Sequence, residues 1–204
     1  MHHPSFIAAP RRQAGFSLIE VSIVTAIVLL VAIIGIPAIG AYVTENKVPK
    51  VGEELQRFVA RTKANAQGAG PTPYVDIDTG ALANALRDSS VVAVSGTGSS
   101  AVVAHGLGGN GSSGNGTINL APVSVASGGA GSGFAMTLTN VNNAACPALA
   151  SIMQRVSDII TVEGQGGAGK VKDSTVVPRI AYSATAAESR CTEGDNNTFV
   201  FTVR

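Results

Sequence analysis

Apolar residues are distributed along this chain in two ways. Near the amino end they form one run from Phe16 to about Ala41, built of Ile, Val, Leu and Ala, in which Glu20 is the only ionisable side chain. A run longer than about 18 residues is long enough to cross a hydrocarbon core as a helix. Beyond it the pattern becomes helical and two-sided. Val51, Leu55, Phe58 and Val59 recur at helical spacing, while Glu53, Glu54, Arg57, Arg61 and Lys63 occupy much of the other face. The helix is therefore expected to continue to about Asn65, with its second half packing an apolar stripe on a sheet. Pro37, two residues after Gly35, predicts a kink or a locally unwound turn near Ile33–Pro37. Pro49, close to Lys47 and Lys50, marks the expected exit from the membrane interface.

The remaining pattern is short and broken by Gly and Ser. Gln67–Thr79 reads as a connector and Gly80–Arg87 as a short helix anchored by Leu82 and Leu86. Strands are expected at Val91–Val94, Thr117–Leu120, Pro122–Ala126 and Phe134–Val141. In the last of these Phe134, Met136 and Leu138 alternate with Ala135, Thr137 and Thr139. Cys146-Pro147 opens a helix whose stripe runs through Leu149, Ile152, Met153, Val156, Ile159 and Ile160. A turn at Gly164–Gly169 precedes strands at Val171–Val177 and Ile180–Tyr182. The alternation of Phe199, Phe201 and Val203 with threonines and Val200 places a last strand inside or near the middle of the sheet. The fold class is α+β: a long amino-terminal helix, transmembrane and then amphipathic, packed on an antiparallel β-sheet head.

Composition narrows the chemistry. The 204 residues include 24 Gly and no Trp, with only 13% charged and 4% aromatic side chains, which describes a loop-rich head with a modest core. Near-neutral charge, formally +1, gives no electrostatic case for nucleic acid. The two cysteines, Cys146 and Cys191, are too far apart for a CxxC pattern. In an exported domain they are most simply a disulfide, the alternative being two free thiols. His105 lacks a partner at ligand spacing and is expected at the surface. The stretch Gly106–Gly116, GLGGNGSSGNG, lacks the strand, helix and Lys-Ser/Thr of a phosphate loop and is expected to be flexible and solvent-exposed. Asp76 with Asp78, or Glu193 with Asp195, could touch calcium, yet such pairs on Gly-rich turns are more often turn residues. No catalytic constellation, metal site or cofactor is assigned, and the chain is not read as an enzyme.

The flanks of the apolar run are informative. A secretory signal peptide carries its small-residue cleavage site after the apolar core; here the small step Ala14-Gly15 lies before it, following Arg11-Arg12. Cleavage after Gly15 would leave the helix on the mature chain, begin it at Phe16, and leave 12 basic against 13 acidic side chains, a formal −1. Glu20 within the apolar run costs on the order of 2.5 to 3.5 kcal/mol on lenient insertion scales. Either it reaches interfacial water near the helix start, or it pairs with the positive amino terminus of a neighbouring subunit.

Gly15-Phe16-Ser17-Leu18-Ile19-Glu20, behind a basic leader and ahead of the apolar run, resembles the class III prepilin signature of type IV pilins and pseudopilins. The resemblance implies cleavage by a prepilin peptidase after Gly15, N-methylation of Phe16, subunit docking through Phe16 and Glu20, and a helix that can melt at Pro37 during assembly. The run MTLTNVNNAACPALASIM, a strand leading into a cysteine that opens a helix, resembles type IVb pilins of the PilS and toxin-coregulated-pilus kind, although their leaders are usually longer. It implies the pilin fold, with residues 1–15 as leader, 16–66 as helix (the first half transmembrane and filament core) and 67–204 as head with a disulfide-bounded carboxy-terminal region. The expected function is major subunit of a pilus serving adhesion, motility, conjugation or DNA uptake; the alternative is a minor pilin, or a type II secretion pseudopilin, that primes or tips a filament. Expected partners are copies of the chain itself, the prepilin peptidase, the inner-membrane assembly platform and, before assembly, the membrane. Expected locations are the bacterial inner membrane and then the extracellular filament.

Overall fold

The protein is described from a computed structural model that covers residues 15–204, without the side chains of Pro37, Ala38 and Ala41. The expected leader up to Ala14, with Arg11 and Arg12, lies outside the described residues. The chain divides after Gly40 into two compact units. One helix, α1 (Leu18–Asn65), contributes to both.

In the first unit, Leu18–Ile36 is long and apolar enough to cross a membrane, and none of it is buried. Ser22 and Thr25 donate their hydroxyls to Leu18 O and Val21 O at 2.8 and 2.7 Å. Both polar side chains are thus satisfied within their own helix, as a lipid environment demands. The expected unwound turn at Ile33–Pro37 is not observed, since α1 remains helical through Pro37 and Pro49. Each proline removes one N–H from a ladder that the neighbouring turns continue, and here that loss is too local to end the helix.

The second unit is a seven-stranded antiparallel sheet with helices packed on it. Its strands are β1 (Ala93–Ser95), β2 (Val102–Ala104), β3 (Thr117–Val123), β4 (Gly133–Val141), β5 (Ile159–Gly164), β6 (Gly167–Asp173) and β7 (Asn197–Val203), in the spatial order β1-β2-β3-β4-β7-β5-β6. The expected central position of the last strand is met: β7 lies between β4 and β5, with Phe199, Phe201 and Val203 buried. Val48, Val51, Leu55, Phe58 and Val59 of α1 enter the same core, where Phe58 meets Phe134 of β4 edge to face at 6.4 Å. Helices α2 (Thr79–Leu86), α3 (Cys146–Met153) and α4 (Ala184–Glu188) complete the unit.

Several elements differ from the expected pattern. Pro122 does not divide β3, because β2 pairs only with Thr117 and Ile118; at Pro122 the second edge of the strand is unpaired and a missing N–H breaks no ladder bond. Helix α3 stops at Met153, and Ile159 and Ile160 belong to β5. The β-branched run Ile159-Ile160-Thr161-Val162 favours a strand, and Lys172 Nζ donates to the carbonyls of Gln154 and Ser157, both at 2.6 Å, where the chain leaves the helix. Gly164–Gly169 is largely strand, as Gly164 pairs with Gly167 around a two-residue turn. Gly166 in this turn and Gly167 just after it both take positive φ, a region glycine enters without steric cost. Beyond Asp173 the expected strands reduce to one bridge between Asp173 and Ile180.

Candidate assembly surfaces

Helix α1 begins at Leu18, which makes Ser17 its N-cap and Glu20 its third residue. Glu20 Oε2 accepts the backbone N–H of Ser17 at 2.9 Å. This is half of an S-x-x-E capping box, formed where the helix dipole is positive. The carboxylate therefore already sits at the amino end of the helix, on the N–H of the residue that follows Phe16. An ionised carboxylate has about four acceptor positions, so one N–H leaves capacity for an incoming amine. Phe16 is 87% exposed, and the large apolar side chains from Leu18 to Ile36 are exposed with it. Pro37 lies within α1, outside the residues whose side chains are described.

In the second unit, Cys146 and Cys191 form a disulfide with their Cα atoms 6.0 Å apart. Cys146 is the first residue of α3 and Cys191 follows α4, so the bond closes a segment containing α3, β5, β6 and α4 just ahead of β7. A loop of 45 residues should gain roughly 3 to 4 kcal/mol in the chain-entropy account.

His105 is fully buried, contrary to the expectation of a surface residue. Its Nδ1 accepts the N–H of Leu107 at 3.0 Å, which leaves Nε2 to carry the proton and donate to Thr139 O at 2.8 Å. Burial lowers its pKa, partly opposed by the bond to Thr139 and the charge of Asp195. The Gly106–Gly116 stretch is likewise tied down. Leu107 is buried and its carbonyl accepts the N–H of Asn142 at 2.8 Å. The Asp195 carboxylate accepts Gly109 N–H at 2.8 Å and Asn142 Nδ2 at 2.6 Å. At Gly108, with φ 144°, a Cβ would strike Asn140 O and Asn142 N, so a glycine is required there. One apolar residue, Leu107, was the available signal that this polar stretch has an anchored base.

One member of each acidic pair weighed as a calcium contact has a local role. Asp78 caps α2 by accepting Ala81 N–H at 2.9 Å, and Asp195 is the loop clamp just described. Among the described residues no three His, Cys, Asp or Glu side chains cluster as a metal ion would need. Asp173, which sequence reasoning did not single out, is buried at the end of β6. It accepts Lys170 Nζ at 2.7 Å, Thr175 N–H at 3.0 Å and the Thr175 hydroxyl at 2.6 Å. Burial raises its pKa, but the bonds from Lys170 and Thr175 and the lysine charge outweigh it and hold the carboxyl below its ordinary range. Helix α4 was also missed; Ser183, accepting Ala186 N–H at 3.2 Å, is the cap that could have announced it.

Comparison with known proteins agrees with both halves of the chain. Residues 52–204 match the family described as PilS N terminal, and residues 10–36 match the prokaryotic N-terminal methylation motif. No curated protein matches the chain. Among solved structures, the chain is similar to TcpA, a type IV pilin from Vibrio cholerae El Tor biotype, at 15% identity, covering 78% of this chain and 99% of that one with a TM-score of 0.50. It is also similar to a type IV b pilin from Salmonella typhi at 24% identity, covering 74% of this chain and 94% of that one with a TM-score of 0.48.

Proposed function

The chain belongs to the PilS family of type IV pilins and is a pilus subunit, and on that premise we propose that it is the major subunit, polymerised through the apolar half of α1. The observation that supports this reading is the 19-residue span Leu18–Ile36, which no part of its own chain buries. So large an apolar surface demands a cover, which is lipid before assembly and the same span of other copies after it. The family and the fold are structural ones.

In the proposed sequence of events, a prepilin peptidase hydrolyses the Gly15–Phe16 bond at the membrane and the new Phe16 amine is methylated. The Glu20 carboxylate then receives the cationic Phe16 amine of a neighbouring copy. A copy docked out of register would leave both charges unpaired in an apolar medium, which penalises wrong assembly more than the pair rewards right assembly. Pro37 supplies the place where α1 can open as the helix passes from bilayer to filament, since the carbonyl of Ile33 already lacks its usual donor. The inner-membrane platform would draw subunits from the bilayer, and unit 41–204 would face the medium in the extracellular filament.

Mass spectrometry of filaments sheared from the producing cell tests this reading. The expected result is that this chain dominates the protein and begins at methylated Phe16. A chain processed at Gly15 but scarce in the filaments would replace the major-subunit reading with that of a minor pilin or pseudopilin.

A further inference from the structure

We infer that the Thr175–Arg179 loop of one copy seats in a groove between α1 and α2 of the next copy, a head-to-tail contact between 41–204 units that rests on the pilus-subunit reading. The groove has a volume of about 380 Å³. Phe58 and Arg61 come from α1, Tyr74 and Ile77 from the connector, and Ala81 and Ala85 from α2. The two alanines stand one helical turn apart and keep the α2 side low. Tyr74 packs edge-on against Phe134 at 5.0 Å, so the apolar floor is continuous with the core.

The occupant is argued from the other end of the same unit. Val177 is 98% exposed, the highest value of any large apolar side chain in the described residues, and Val176 and Ile180 beside it are partly exposed. The loop that carries Val177 is held at its base. Asp173 and Ile180 exchange backbone hydrogen bonds, both at 2.9 Å, and the Asp173 carboxylate holds the N–H and hydroxyl of Thr175. A projecting apolar side chain on a pinned loop loses little entropy on docking. Charge sets the orientation: Arg179 is two residues from Val177, and exposed Asp76 lies between the groove residues Tyr74 and Ile77. Neither makes an ion pair among the described residues, where the only two are Arg57–Glu54 and Lys170–Asp173. Arg61 on the opposing wall repels Arg179 and directs it towards Asp76.

The loop cannot reach the groove of its own copy. Helix α2 packs on β1, β2 and β3, whereas the loop follows β6 at the far edge of the sheet. From β3 to β6 is four strand spacings, about 19 Å. Each copy therefore offers a projection at one edge and a recess at the other, the heterologous arrangement that propagates into an open filament when its rotation does not close a ring.

The test is a cysteine pair, Ala85→Cys with Val177→Cys, in the full chain expressed in its own producing cells, with sheared filaments oxidised and run on a non-reducing gel. Both positions are exposed, so neither substitution disturbs the core. The expected result is a ladder of dimers, trimers and longer species from the double variant and none from either single variant. Filaments of the double variant that show no ladder overturn the contact and leave the pilus-subunit reading standing. Wild-type sheared filaments that lack this chain overturn that reading and the contact together. Should the cysteine pair fail to assemble, charge reversal decides. Arg179→Asp and Asp76→Arg each lose most of the filament yield, and the double reversal restores it; absence of that restoration overturns the contact.

Discussion

His105 shows how a single buried side chain carries a condition on the whole head. Folding favours its neutral ring, because burial disfavours the imidazolium and Nδ1 is occupied as an acceptor by Leu107 N–H. The unfolded chain has an ordinary histidine that gains a proton near pH 6.5. The folded pKa is the lower of the two, so stability is fully present above about pH 6.5 and is lost as the pH falls through that value towards the folded pKa. The urea midpoint of the detergent-solubilised chain should therefore fall between pH 7 and pH 5.5. His105→Gln keeps a donor for Thr139 O and titrates nothing, so its midpoint should start lower at pH 7 and change less over the same interval. An equal slope in both proteins would mean that His105 is not the titrating group. Asp173 acts in a different window: its depressed pKa contributes stability above about pH 4 that is lost only in stronger acid.

At the scale of elements, α1 and α3 meet where the smallest residue faces a stiff one. A Cβ built on Gly52 would lie 2.5 Å from Ile152 Cγ2, a β-branched side chain with little rotamer freedom. Gly52→Leu should cost roughly 1 to 3 kcal/mol by overpacking. Gly52→Ala should cost less, since about 1 kcal/mol of helix propensity offsets the clash. Adding Ile152→Ala to Gly52→Leu should recover part of the loss, a coupling that denaturant midpoints of the four proteins would measure. Sequence periodicity exposed such elements unevenly. The stripe Val51, Leu55, Phe58, Val59 and the alternation Phe199, Phe201, Val203 each have one period, and both were legible. Ile159 and Ile160 satisfied a helical stripe and a strand run at once, and the choice was made by tertiary pairing with β7. Leu107 was the one local signal of the anchored base of the Gly106–Gly116 loop; the roles of His105 and Asp195 were illegible because the bonds that fix them join residues up to 86 positions apart.

On the proposed function, the whole molecule must reside in lipid as a monomer and then pack in register without it. Glu20 is the one ionisable group in the span that must serve both states. In the isolated chain its carboxylate binds Ser17 N–H and thereby closes the first turn of α1, so its charge is partly compensated before any partner arrives. In the proposed docking, the cationic amine of a neighbour would be added to a carboxylate already held at the helix end. Substituting Glu20 should therefore separate two events that share neighbouring residues. Glu20→Ala leaves Gly15, Phe16 and the apolar run in place, so cleavage should proceed, and the lost cap should cost the helix end about 1 kcal/mol. Assembly should fail much more completely than so small a loss explains, because each Phe16 amine would be buried without its counter-charge. The comparison is between the membrane fraction, where the mature amino terminus should be found at wild-type abundance, and the sheared filament fraction, where the variant should be nearly absent. Wild-type filament yield from Glu20→Ala would show that register is set by apolar packing alone.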